Sequence, residues 1–146
     1  MASLDSVRQK IHRGKMLYDE LWRELIAYYE SDPGDLSESP ESIPERRTLI
    51  FQARSPVPAR LGLICGEVLQ CLRSSLDYLV WELAEAANNP PHDRLMFPVC
   101  LTTKSYRSAL DGRRLDGVIA EAAALIDSFQ PFHVAKPEET ALAMLD

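Results

Sequence analysis

The chain has 146 residues, 26% of them charged, and a formal net charge of −6. Phosphate-rich partners are disfavoured by that acidic total, which points away from a protein whose main work is gripping nucleic acid or anionic lipid. Cys65, Cys71 and Cys100 are an odd number of cysteines at spacings that match no zinc or disulfide framework, which fits a reducing, cytoplasmic setting.

From Leu4 to Tyr29 the apolar residues Leu4, Val7, Ile11, Tyr18, Leu21, Leu25 and Tyr28 recur at three- and four-residue steps, flanked by Leu17, Trp22, Ile26 and Tyr29. That spacing predicts a long amphipathic helix over 4–29, with Ser3 as its cap and Gly14 in the seam, where it either marks a close helix contact or weakens the first turns. The basic start of this run has no apolar stretch after it, so no secretory leader is expected. Residues 31–45, SDPGDLSESPESIPE, have the prolines and acidic excess of a flexible, solvated loop. TLIFQ at 48–52 is β-prone and must pair with another extended piece, for which LMFPVCL at 95–101 is the best candidate.

Residues 57–87 form the longest segment that one helical stripe explains, about 45 Å of helix at 1.5 Å per residue. Leu61, Cys65, Val68, Leu72, Leu76, Leu79 and Leu83 fall in one arc, with Ile64, Leu69 and Val80 on its shoulders, and Cys65 reads as a small buried hydrophobe. Glu67, Gln70, Arg73 and Asp77 interrupt the run, which excludes a membrane span. Asn88, Asn89, Pro90 and Pro91 stop it. A short helix follows from Thr102 or Thr103 to Leu110, stopped by Asp111-Gly112, and another over 119–129 ends at Gln130-Pro131. Pro137, Glu138 and Glu139 open a last helix toward Asp146.

The arc opposite the main stripe of the central helix holds Leu63, Gln70, Ser74, Asp77 and Trp81, with Gly62 and Gly66 beside it. Either the C-terminal helices cover that face, or it meets a second copy, a protein partner or a ligand. Arg73 and Asp77, one turn apart, form an i,i+4 ion pair or line a pocket with Ser74 and Ser75. His12, His92 and His133 lack the carboxylate and histidine spacing of a metal site, and Cys71 and Cys100 have no neighbouring base. No catalytic, metal or cofactor-binding residue is assigned.

LRSSLDYLVWEL at 72–83, FPV at 97–99, Tyr106-Arg107, Gly117-Val118 and LIDSFQPFH at 125–133 follow one another in this order. The chain here resembles an uncharacterised family of helical bacterial proteins with an LRSALDHLVWQL-type helix, an FPI segment and a LIERLQPYH-type helix. The resemblance covers about residues 48 to 145 and implies a helical fold and a bacterial source. Members continue into an Asn-Ile-Asp-Lys-His-Arg-like helix, so the resemblance implies a C-terminal section missing here, and no residue of that cluster is carried across. The cluster resembles the Arg-x4-6-His motif of HEPN-type RNA nucleases, to which Arg8 and His12 come within one residue of spacing.

The expectation is therefore a single mainly α domain over 1–146: two long antiparallel helices, shorter C-terminal helices and a small two-stranded ribbon. The expected function is a non-enzymatic interaction or scaffold module, as a homo-oligomer or with a protein partner, without cofactor, membrane or nucleic acid. The alternative is a truncated HEPN-like RNA nuclease or toxin–antitoxin component.

Overall fold

The computed structural model describes residues 4–40 and 47–145; Ser3, expected to cap the first helix, and residues 41–45 of the expected loop lie outside the described residues. α1 runs over Asp5–Glu30 and α2 over Ala59–Ala86, so both long helices form where the periodicity predicts them. They pack together in opposite directions. Near the start of α1 the Ser6 hydroxyl donates to the Glu82 carboxylate. At Gly14 a β-carbon would lie 3.3 Å from that of Cys71. Beyond these, the Arg60 guanidinium bridges Glu20 at 2.7 Å and Glu24 at 3.2 Å.

α1 carries more apolar residues than one interface can bury. Val7, Gly14 and Leu17 are buried, with Leu21 and Tyr28 half-buried on the same line, whereas Leu4, Ile11, Tyr18 and Leu25 from the expected seam stand exposed. Gly14 is the close contact that the sequence suggested. Gly14→Ala gains about 1 kcal/mol of helix propensity but aims a methyl at a β-carbon that cannot rotate away. Gly14→Val adds two further carbons there, and a net loss of about 1–3 kcal/mol is expected, read as a lower melting temperature by circular dichroism. An unchanged midpoint would mean the helices separate there without cost.

Two compact units make up the chain: Met16–Glu67, and the residues up to Lys15 together with those from Val68 onward. In the Met16–Glu67 unit a ribbon forms between β1 (Gly34–Glu38) and β2 (Leu49–Ala53), antiparallel, with Leu36 opposite Phe51. β2 is the expected strand displaced by one residue. Its partner differs: it is not 95–101 but a piece of the segment read as a loop. Arg54 explains the choice, since its guanidinium reaches Asp32 at 2.7 Å and Asp35 at 3.2 Å while its N–H donates to the Pro33 carbonyl. The Tyr28 hydroxyl ties α1 to the same unit through the Ser55 carbonyl at 3.1 Å.

In the larger unit the core gathers Val80 and Ala84 of α2 with Leu95, Phe97, Val99, Leu115 and Ile126. Residues 95–100 are buried except for Met96, yet they form no strand. Side chains take part of their backbone instead: Asp77 accepts from the Phe97 N–H at 2.9 Å, and Gln130 binds the Pro98 carbonyl and the Cys100 N–H, while the Met96 N–H donates to the Arg114 carbonyl at 3.1 Å. α3 (Thr103–Asp111) is capped by the Thr102 hydroxyl, which accepts from the Ser105 N–H at 3.1 Å, and stops at Gly112. α4 spans Ala120–Ser128. Gly117, at φ +82°, makes the turn before it, in a conformation a side chain would strain, and the Asn89 amide donates to its carbonyl at 2.9 Å.

Two details depart from expectation. Cys65 is exposed, because burial on this part of α2 follows the Ile64 side of the expected arc, through Leu61, Ile64, Val68 and Ser75, and leaves the Cys65 edge outside. The piece from Pro137 onward forms two single 3-10 turns, Pro137–Glu139 and Ala143–Leu145, rather than one helix. The Thr140 side chain donates to the Pro137 carbonyl and accepts from the Ala143 N–H, replacing the helical ladder with local bonds.

Candidate functional site

The expected interaction face is divided between the two units. Leu63, in the Met16–Glu67 unit, is 69% exposed, and β-carbons on Gly62 and Gly66 would meet nothing within 4 Å. Among the described residues nothing therefore covers that end. In the larger unit the Gln70 amide donates to the Ser74 hydroxyl at 3.3 Å, and Ser74, Asp77, Tyr78 and Trp81 line a shallow pocket of about 260 Å³. Arg73 and Asp77 do meet, at 3.5 Å, with both side chains largely shielded from solvent. Since one Asp77 oxygen also holds the Phe97 N–H, the pair ties α2 to the buried 95–100 segment. Ser75 turns inward, donating to the Leu72 carbonyl at 2.7 Å.

A larger feature lies on another face of the same unit. Leu76, Leu79 and Leu83 project from α2 at three- and four-residue steps, and Leu125 and Phe129 stand along α4 and its end. Between these rails runs an apolar groove of about 470 Å³, with buried Phe97 and Ile126 in its floor. Leu125 is 60% exposed and Phe129 67%, so the rim is open to a partner. Sequence reading missed this groove: its lining comes from four separated segments, and each of those residues reads locally as an ordinary core position.

Titratable groups cluster elsewhere. Tyr106 is buried beside Cys100, Ala109 and Phe132, its ring 5.6 Å from that of Phe132. Burial, then the Asp127 carboxylate and Cys100, push its phenol above the ordinary 10.0. The unfolded chain therefore ionises first as pH rises, so this contribution to stability is complete below pH 10.0 and is lost as pH climbs through the folded-state value. Urea midpoints are expected to be flat up to about pH 10 and then to fall, with a shallower alkaline fall in Tyr106→Phe. Asp116 shifts the other way, held below its usual range by the Arg113 hydrogen bond and charge and, more weakly, by His92.

The three histidines do not converge. His12 is exposed on α1; the His92 Nδ1 accepts from the Arg94 N–H at 3.1 Å; the exposed His133 stacks on Phe132 and approaches Asp127 at 3.6 Å. Among the described residues no group of three His, Cys, Asp or Glu side chains is placed to hold a metal ion. Nor is any helix among them long and apolar enough to cross a membrane. No family model, curated protein or solved structure matches the chain.

Proposed function

We propose that this protein is a helical interaction module, acting without catalysis in the bacterial cytoplasm, whose groove between α2 and α4 receives the apolar face of an amphipathic helix from another protein. The groove carries this reading. Its two rails present apolar side chains at helical spacing on either side of an apolar floor, which is the surface that a helix laid lengthwise fills through its i, i+3, i+4 and i+7 positions. The uncharged lining favours an apolar occupant over a charged small molecule. The bacterial and cytoplasmic parts rest on the family resemblance and on an odd number of cysteines at spacings that match no disulfide framework.

The test is a fluorescence-anisotropy titration with a labelled, idealised amphipathic peptide carrying leucine at i, i+3, i+4 and i+7. Wild-type protein is expected to bind it, and Phe129→Glu to weaken binding by about tenfold or more with no change in melting temperature. Equal binding by both proteins would refute the groove as the docking site. The nuclease alternative has less support, since Arg8 is engaged by Asp5 at 3.5 Å and the Arg8–His12 spacing is one residue short of the motif. RNA cleavage lost in His12→Ala would reverse that ranking.

A further inference from the structure

The second apolar stripe of α1 is left uncovered within its own unit. In Met16–Glu67, Tyr18, Trp22, Leu25, Ile26 and Tyr29 are all exposed, Trp22 at 57% and Tyr29 at 78%. Single exposed apolar residues are ordinary, but five large ones, three of them aromatic, on successive turns of one helix make a patch. Tyr18, Trp22, Leu25 and Tyr29 advance by four, three and four residues, the step by which one helix meets another. Continued toward the helix start, the same step passes through Lys15, Ile11 and Arg8.

Charge selects the occupant. Residues 5–15 of α1 hold Arg8, Lys10, Arg13 and Lys15 against Asp5 alone, a formal +3. Residues 16–30 hold Asp19, Glu20, Glu24 and Glu30 against Arg23, a formal −3. Two such helices laid antiparallel set each basic half on an acidic half, whereas parallel pairing sets like on like. Arg8 and Lys15 occupy the stripe itself, so their aliphatic stems can lie on the aromatic rings of a second helix with their charges above the ring faces.

We infer that the protein forms a two-fold dimer by antiparallel pairing of α1, the Tyr18–Tyr29 stripe of each copy meeting the basic first half of the helix in the other. Such an interface is self-complementary and closes on itself, so it ends at two copies. It uses none of the groove residues, and the two proposals can fail separately.

Sedimentation velocity on the full chain, over a concentration series into the high-micromolar range, tests it. Wild type is expected to be dimeric, and Trp22→Glu, at an exposed position, to raise the dissociation constant by about tenfold or more with an unchanged melt. The charge-reversed proteins Arg8→Glu/Lys15→Glu and Asp19→Lys/Glu30→Lys should each be monomeric, yet dimerise when mixed one to one, as antiparallel pairing alone requires. A wild-type monomer throughout the series overturns the inference, as does a dimer indifferent to Trp22→Glu or a mixture that stays monomeric. A dimer dissociated by Phe129→Glu but not by Trp22→Glu would overturn it too, moving self-association to the groove. Peptide binding by a monomeric wild type would sink the dimer while leaving the groove reading intact.

Discussion

Gln130→Leu is expected to lower the unfolding free energy by about 3 kcal/mol, although leucine nearly matches the volume of glutamine. Gln130 is only 1% exposed. Its amide nitrogen donates to the Pro98 carbonyl at 2.8 Å and to the Ile126 carbonyl at 3.2 Å, while its oxygen accepts from the Cys100 N–H at 3.1 Å. One side chain thus binds the end of α4 to a buried stretch of backbone that has no strand partner. Leucine removes both the donor and the acceptor from a site with no solvent to replace them, which costs the desolvation of those groups rather than the small net worth of a hydrogen bond. Gln130→Glu keeps an acceptor but turns a second oxygen, with charge, toward two carbonyls, so it should destabilise more than leucine. Urea titrations of the three proteins check the order through their midpoints at constant slope. Equal midpoints for wild type and Gln130→Leu would show that the 95–100 backbone is held by its apolar packing alone.

That glutamine marks a limit of sequence reading. Between Phe129 and Pro131 it looks like a helix stop, and nothing local says that its amide reaches back to residues 98 and 100. Local signals served well where the physics is local: Thr102 caps α3, Gly112 ends it, and the prolines after Asn89 bound α2. They failed where a distant side chain decides. LMFPVCL has the composition of a strand, but Asp77 and Gln130 take its Phe97 N–H, Pro98 carbonyl and Cys100 N–H, which a ladder would need. GDLSE has no strand character, yet it becomes β1 beside the Arg54 ion pairs. On α1, buried and exposed stripes overlap in a periodicity analysis, because residues one position apart differ by only about 100°. Of the expected face on α2, the polar pair was legible because i,i+4 spacing is local. The second task of Asp77, holding the Phe97 N–H, was not.

Phe97→Ala is expected to have the largest effect of any single change considered, a loss of about 3–5 kcal/mol and a fall in melting temperature on the order of 10 °C. The ring is 5% exposed, packed in the core with Val80, Ala84 and Leu95, and it forms part of the groove floor. Alanine keeps the backbone N–H that Asp77 accepts, so the loss comes from the transfer of the ring and the void that α2 and α4 cannot close. Phe129 is the useful contrast: the same residue type, on the rim of the same groove, with two thirds of its surface in solvent. Phe129→Glu should leave the melting curve nearly unchanged and weaken peptide binding by about tenfold or more, whereas Phe97→Ala should shift the curve strongly and, below its lowered midpoint, still bind through the intact rim. Thermal melts and anisotropy titrations on the two variants separate these effects. If Phe129→Glu proved as destabilising as Phe97→Ala, the rim would belong to the core, and the groove would be packing rather than a place for a partner.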